Sequence, residues 1–370
     1  MLRFLIVQTA ASVVGLQCWM ILFNNFAVEV AGLDGLQVGI IGSVREIPGF
    51  LALLAVFVML VIKEHRLSSL SIVLLGIGTG LTGLFPSFTG LIVTTLIMSF
   101  GFHYYETTNQ SLTLQYFSTA TSPLIFGRLR SLAAATSIVV GLLLYLMGMV
   151  FSYQTMFLTI GALVVAAGIW GLLQDPTHQQ ITPQHRKMIL RRRYSLYYFL
   201  TFMAGARRQI FMAFSVYLLV KVFHCTVTEI TLLFVVNNAV NFVLSPAIGR
   251  AIVRFGERWV LSLEYGGLIG VFLVYAFTGS KLLAVTMYIL DHILFNFSIA
   301  IRTYFQKVAD PADIAPSMAV GFTINHIAAV VMPAIGGALW MIDYRIPFVA
   351  GALLSLVSLL AVQRIPRFAE

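Results

Sequence analysis

Arg207 and Arg208 stand side by side within a stretch, 194–223, that is otherwise apolar enough to cross a membrane. A guanidinium near the bilayer centre costs about 2.5 to 3.5 kcal/mol on insertion scales, and two roughly double that. Such residues persist where they face a partner, a water-filled cavity or a bound solute. An arginine in a cavity offers a planar fork that matches a carboxylate or phosphate. Neighbouring residues on a helix point about 100° apart. One of the pair is therefore expected in the cavity and the other on an acid of a nearby helix, and the sequence does not say which.

Glu106 and Asp291 are acids buried in other apolar stretches. His103 precedes Glu106 by three positions and Asn296 follows His292 by four, so each pair shares a helix face. A carboxylic acid kept from water beside an imidazole can exchange a proton near neutral pH. Glu106, Asp291, His103, His292 and Glu46 are the expected proton-coupling groups. The alternative is static pairing, because three arginines (Arg45, Arg207, Arg208) and three acids (Glu46, Glu106, Asp291) could neutralise one another. Arg45 and Glu46 are adjacent and are not expected to pair well together. Arg207, Arg208, Arg45, Tyr104, Tyr105, Asn237, Asn241 and Asn325 are the expected solute contacts, with Trp19, Phe23 and Tyr217 as an aromatic wall or as packing. Asn238 is expected to glue helices together, and Glu264, near the start of its span, to pair with loop arginines. His103, His292 and His326 lack tight ligand spacing with the acids, so no metal is expected. No phosphate-binding loop, H-E-x-x-H or G-x-S-x-G run occurs, so the chain is not expected to be an enzyme or to hold a cofactor. Without a nucleotide site, uphill movement of a solute must draw on an ion gradient.

The elements that position these residues follow from composition. The 370 residues are 59% hydrophobic and 10% charged, with a mean hydropathy of +0.93, which places the chain among multi-pass membrane proteins. At about 20 residues per crossing, spans are expected at 4–28, 37–62, 68–84, 90–117, 130–151, 156–173, 194–223, 229–253, 259–278, 282–303, 316–341 and 347–362. The net charge of +9 is not a nucleic-acid signal. Of the 23 basic residues, 17 fall at alternate turns or chain ends, Arg128 and Arg130 among them, while the opposite turns carry only Lys221, Lys281 and Arg345. This positive-inside pattern predicts cytoplasmic termini in the cell's cytoplasmic (inner) membrane. Cys18 and Cys225 are not expected to form a disulfide. The start of the chain is read as an uncleaved first span.

A basic hydrophilic stretch, 175–193, separates two six-span bundles, 1–174 and 194–370. Tyr116-Phe117 with Pro123 recurs as Tyr304-Phe305 with Pro311, an offset of 188. The run 45–50 aligns with 237–242 at 192, the offset that also relates Gln17 to Gln209 and Arg66 to Arg258. Glycines at 76 and 80, and at 266 and 270, have the spacing of close helix contacts. Two parallel repeats place a site between bundles at the midplane.

With twelve spans in six-plus-six order and a basic central stretch, the chain resembles the major facilitator superfamily over nearly its whole length. The family's loop signature after the second span of each half, G-x-L-a-D-R-x-G-R-[RK]-x-[LIV]-[LIM], is matched at Gly249, Arg254, Gly256, Arg258, Val260 and Leu261. Val253 replaces the family's acid and Glu257 a base, and the first half keeps only Lys63-Glu64-His65-Arg66. The resemblance implies that Gly249, Arg254, Gly256 and Arg258 form a gating loop. It also implies that spans 1, 4, 7 and 10 line a central path flanked by 2, 5, 8 and 11, and most of the buried polar residues above fall on those spans. The fifth span lacks the G-x-x-x-G-P-x-x-G-G run of drug/proton antiporters, and only Pro333-Ala334-Ile335-Gly336-Gly337 resembles it. The implied fold is all-α, with twelve transmembrane helices in two pseudo-repeats. The expected function is secondary, proton-coupled transport of a small organic solute bearing an anionic group, by alternating access, by a monomer in the lipid bilayer. A broad multidrug or metabolite exporter and a non-transporting receptor or scaffold remain the alternatives.

Overall fold

The computed structural model describes residues 1–59, 61–177, 181–185 and 187–366. Arg186 and Arg367, both counted in the charge pattern, lie outside the described residues, as do the side chains of Pro333 and Ala334. Among the described residues all regular structure is helical. In chain order the helices are α1 (Leu2–Glu29), α2 (Gly35–Phe50), α3 (Ala55–Val58), α4 (Glu64–Thr82), α5 (Phe88–Tyr116), α6 (Ser122–Gly148), α7 (Tyr153–Leu172), α8 (Ser195–Ile210), α9 (Val216–Lys221), α10 (Val227–Phe277), α11 (Lys281–Phe295), α12 (Ile299–Val308), α13 (Ile314–Ile342) and α14 (Arg345–Val362). Apolar runs become helices in a membrane because the helix bonds its own N–H and C=O groups where no water can. Eight stretches among the described residues are long and apolar enough to cross by length and composition alone, and one of them, Leu232–Phe277, is long enough for two passes.

Among the described residues the helices group into twelve passes, as expected. α10 counts as two because it breaks at Gly256, whose φ of 77° and ψ of 161° are open essentially only to glycine. Three other passes are interrupted. Pro48 inside α2 cannot donate to the preceding turn, and the helix passes into a 3₁₀ turn at Leu51–Leu54 before α3. A π turn at Phe211–Ser215 joins α8 to α9, and a 3₁₀ turn at Asn296–Ser298 joins α11 to α12. Such interruptions concentrate at functional or hinge positions. These three fall in spans 2, 7 and 10, where the sequence also places polar residues.

The chain forms two compact units. Unit 1 comprises Met1–Tyr116, Leu132–Ile189 and Asp310–Thr323; unit 2 comprises Phe117–Ser131, Leu190–Ala309 and the chain from Ile324 onward. The start of α6 thus belongs with unit 2 and the start of α13 with unit 1. This corrects the expected fifth span. α6 begins at Ser122, with Pro123 in the first turn where its missing N–H costs little, so Arg128 and Arg130 ride on the helix instead of a turn.

In unit 1, α4 packs closely on α5 and α7. A Cβ at Gly76 would lie 2.7 Å from the Val165 nitrogen and 2.8 Å from the Gly161 carbonyl oxygen. The Gly76/Gly80 spacing therefore serves close helix approach. The Gly266/Gly270 spacing does not, since neither position has an atom within 4 Å of an added Cβ. In that helix Gly267 makes the approach, 2.7 Å from Leu294 Cδ1. The matching spacing was real, but the face turned to the neighbour is one residue away. Both cysteines are free.

Candidate functional site

The densest buried charge in the described residues belongs to unit 2. Cβ bonds tilt toward a helix's N-terminus, so Arg207 on α8 reaches back along its own helix. Its guanidinium meets Glu264, which sits about 12 Å past the Gly256 break at 1.5 Å per residue. Arg207 Nη2 lies 3.8 Å from Glu264 Oε1, Nη1 donates to Ser358 Oγ on α14, and the guanidinium carbon lies 4.3 Å from the centre of the Tyr265 ring. Arg207 is 3% exposed and both Glu264 and Asp291 are 2% exposed. Arg208, half-buried, places its guanidinium over the Phe295 ring at 5.8 Å. All four charged side chains line one narrow recess with Ala204, Phe211 and Phe295. Arg207 Nε and Nη2, Glu264 Oε2 and Asp291 Oδ2 have no hydrogen-bond partner. Glu264 is therefore corrected from a partner of loop arginines to a partner of Arg207.

A second polar chain in unit 2 links α6, α10 and α11. Arg130 Nε donates to Asn296 Oδ1 at 2.9 Å, and Asn296 Nδ2 donates to Asn241 Oδ1 at 2.5 Å and to the His292 carbonyl at 2.8 Å. Asn241 Nδ2 lies 2.8 Å from His292 Nε2. The bond from Asn296 to the His292 carbonyl sits at the 3₁₀ interruption of the pass. Asn237 is 1% exposed, and neither of its amide atoms has a partner. Asn238 bonds back to the Phe234 carbonyl of its own helix at 3.0 Å instead of gluing two helices. Asn325 donates to the Thr201 carbonyl at 3.3 Å, where Gly205 lets α8 and α13 approach. His326 is 5% exposed.

In unit 1, Arg45 and Glu46 do pair, against expectation. Arg45 Nη2 and Nε donate to Glu46 Oε1 at 2.8 and 3.2 Å. The long arginine stem bridges the angle between the two positions while the guanidinium lies over the Trp19 ring at 5.5 Å. The Arg45 carbonyl accepts from Ser99 Oγ. Tyr105 is buried in the core with its hydroxyl 2.8 Å from Thr9 Oγ1. Tyr104 is half-buried, with its hydroxyl 3.4 Å from the Leu51 carbonyl at the 3₁₀ turn. Glu106 Oε2 accepts from Gln110 Nε2 at 3.1 Å. His103 is 5% exposed, with its ring edge-on to Phe322 at 5.8 Å. Trp19 stacks on Phe23 at 4.2 Å, and Tyr217 in unit 2 packs on Trp340 at 4.9 Å.

A model of the Major Facilitator Superfamily matches residues 5–312. The chain belongs to that superfamily. Solved structures agree on the fold. The E. coli fucose:proton symporter aligns with a TM-score of 0.81 at 13% identity, over 99% of this chain and 98% of that one. A bacterial homologue of the iron transporter ferroportin, in an outward-facing state, aligns at 0.80 and 14%, over 98% of each chain. A human organic anion transporter aligns at 0.75 and 11%, again over 98% of each. No curated protein sequence matches the chain.

The superfamily's loop signature lies at the Gly256 break. Arg258 Nε and Nη2 donate to Gln363 Oε1 at 3.1 and 3.0 Å, and Arg254 lies over the Phe255 ring at 5.2 Å. Gly249 lets α6 pass close, since a Cβ there would be 2.5 Å from the Pro123 carbonyl oxygen. Glu257, which departs from the superfamily's base, is 2% exposed and accepts from Lys307 Nζ on α12 at 2.9 Å. The charge missing from the loop is thus supplied by the facing helix with the sign reversed. In unit 1 the corresponding turn is held by Asp175, which lies 3.9 Å from Lys63 Nζ and 4.0 Å from His65 Nε2. Hydrogen bonds from Thr177, then the charges of His65 and Lys63, hold the Asp175 carboxyl below its usual range. Glu64, at the head of α4 and ahead of its apolar stretch, accepts from Gln115 Nε2 at 2.7 Å. Its Oε1 is closed off without a partner. Burial pushes this carboxyl up to about 7, against the pull of hydrogen bonds from Ser111 and Gln115.

Sequence reasoning missed Glu264, Ser358 and Arg130 as members of these clusters. The available signal for Glu264 was an acid inside the apolar run 257–277. Distance from the span's start concealed it, because that start is a tight glycine break and not an open loop.

Proposed function

We propose that this superfamily member is a proton-coupled secondary transporter of a small organic solute carrying an anionic group. It works as a monomer by alternating access in the cytoplasmic membrane, with both termini inside. The recess in unit 2 carries this reading. Two adjacent arginines line it, and two nitrogens of the buried guanidinium of Arg207 have no hydrogen-bond partner. A carboxylate or phosphate is the group that such a fork accepts. Carboxylates within the same recess supply the means to carry a proton with the solute. Two proteins of similar fold support the pairing of these properties by their descriptions, one an organic anion transporter and one a fucose:proton symporter.

The test is flux into proteoliposomes of radiolabelled monocarboxylates, dicarboxylates and organophosphates, beside neutral sugars, with and without an imposed pH gradient. Uptake of at least one anion is expected to rise with an inward proton gradient and to collapse in Arg207→Gln. Flux of a transported anion that ignores the gradient would refute the coupling, and transport confined to neutral solutes would refute the anionic group. If no solute moves and Arg207→Gln lowers only the yield of folded protein, the scaffold reading replaces this one.

A further inference from the structure

The acid of the loop signature has no exposed counterpart at the Gly256 break. Val253 stands in its place and is exposed, and Glu257 turns inward to Lys307. The break therefore presents only positive charge. Arg250 and Arg254 lie about one turn apart on α10, and both are exposed. Arg258 follows the break, and Arg364, also exposed, adjoins the Gln363 that Arg258 bonds. Among the described residues no carboxylate pairs with Arg250, Arg254 or Arg364. In unit 2, Glu229 pairs with Lys281, Glu257 with Lys307 and Glu264 with Arg207. Asp291 is buried, and Asp343 lies ahead of α14, at the opposite end of the unit.

Two rings accompany these charges. Phe255 and Trp259, on either side of the break, are each 49% exposed, and their ring centres lie 4.8 Å apart. Arg254 lies over the Phe255 ring. Past Trp259 the outward face of α10 is apolar. Leu263, Leu273 and Phe277 are exposed and fall within about 40° of Trp259 around the helix axis. The arginines thus stand at the rim of an apolar stripe, at the headgroup level where tryptophan rings collect. A topology signal requires positive charge alone and does not require two large rings exposed beside it.

We propose that the Gly256 break binds an anionic phospholipid. Arg250 and Arg254 receive its phosphate, which matches the guanidinium fork. Trp259 and Phe255 cover its glycerol and the head of an acyl chain. A zwitterionic headgroup fits less well, because its ammonium needs an acid and the position that the signature gives to one holds Val253. A free phosphate ion leaves both rings bare.

Native mass spectrometry of the detergent-purified full chain reads the site, with dioleoyl phosphatidylglycerol and dioleoyl phosphatidylethanolamine titrated separately. Wild type is expected to prefer phosphatidylglycerol. A basic residue beside an anionic lipid surface contributes about a fivefold factor in affinity. Arg250→Gln and Arg254→Gln are each expected to weaken phosphatidylglycerol binding by about that factor, and the double variant by about 25-fold. Trp259→Ala is expected to weaken it too. Arg66→Gln, at the repeat-related position of unit 1, controls for general charge attraction and should leave it unchanged. Equal affinity for the two lipids, or a double variant that binds like wild type, overturns the site. An equal loss in Arg66→Gln overturns it as well. Displacement of the bound lipid by millimolar inorganic phosphate, with Trp259→Ala unchanged, overturns the lipid as the occupant. A monodisperse size-exclusion profile checks the folding of each variant, and if the double variant fails it the two single variants decide. No solute or proton gradient enters the measurement, so the site stands or falls apart from the transport reading.

Discussion

Truncating Lys307 isolates the departure of this chain from its superfamily's loop signature. Glu257 is 2% exposed and Lys307 Nζ lies 2.9 Å from its Oε2. At that distance and an effective dielectric of about 20, the Coulomb attraction is about 6 kcal/mol before desolvation. Removing one partner of a buried pair costs about 3 to 5 kcal/mol, because the other charge is left uncompensated. Lys307→Ala is therefore expected to lose that amount. Glu257→Gln should cost less, about 1 to 3 kcal/mol, since Lys307 is 24% exposed at its side chain and can turn to water. The double variant carries no buried charge and should recover part of the loss, a coupling of about 2 kcal/mol or more. Thermal unfolding of detergent-purified protein, followed by tryptophan fluorescence, reads this out. At about 2 to 4 °C per kcal/mol for units of this size, Lys307→Ala should melt about 6 to 20 °C lower. Single-variant losses that add to the double within about 0.5 kcal/mol would refute the pairing, and with it the reading that Lys307 supplies the charge missing from the loop.

Two further outcomes follow from unit 1. Glu64 titrates near 7 in the fold against an ordinary value of 4.5, so the folded state binds more protons than the unfolded state between those values. Stability should fall as pH rises through that window. Glu64→Gln should flatten this slope in melts taken across it, and an unchanged slope would remove Glu64 as the cause. Gly76→Ala places a Cβ 2.7 Å from a backbone nitrogen, which no side-chain rotation relieves, so folded yield by fluorescence size exclusion should drop sharply. Gly141→Ala, which meets nothing within 4 Å, should leave that yield unchanged, and equal yields would refute the packing argument.

The spans were legible because hydropathy is a property of each stretch of about 20 residues alone. The loop signature at 249–261 was legible too, including its two departures, and so was the duplication. The two related positions 66 and 258 each start a helix, after Lys63 and the Gly256 break, and beside each lies a residue just past the last helix of its half: Asp175 near Lys63, and Gln363 bonded to Arg258. Pairings were less legible. Adjacent positions on an ideal helix diverge, yet Arg45 and Glu46 pair through a flexible stem. The Gly266/Gly270 spacing carried the right pattern on the wrong face, because a shift of one residue turns a helix by about 100°.

The sequence by itself determined the membrane, the twelve helical passes and the superfamily. Each follows from local apolarity and a short motif, which need no knowledge of neighbours. Only the tertiary structure decided which acid holds Arg207. Arg207 meets Glu264, from a helix 57 positions along the chain, across a distance of 3.8 Å. That contact depends on the rotation of α8, the break at Gly256 and the seating of α14 at Ser358. Such side chains are brought together by packing, and no local stretch of sequence encodes the rotation that aims them.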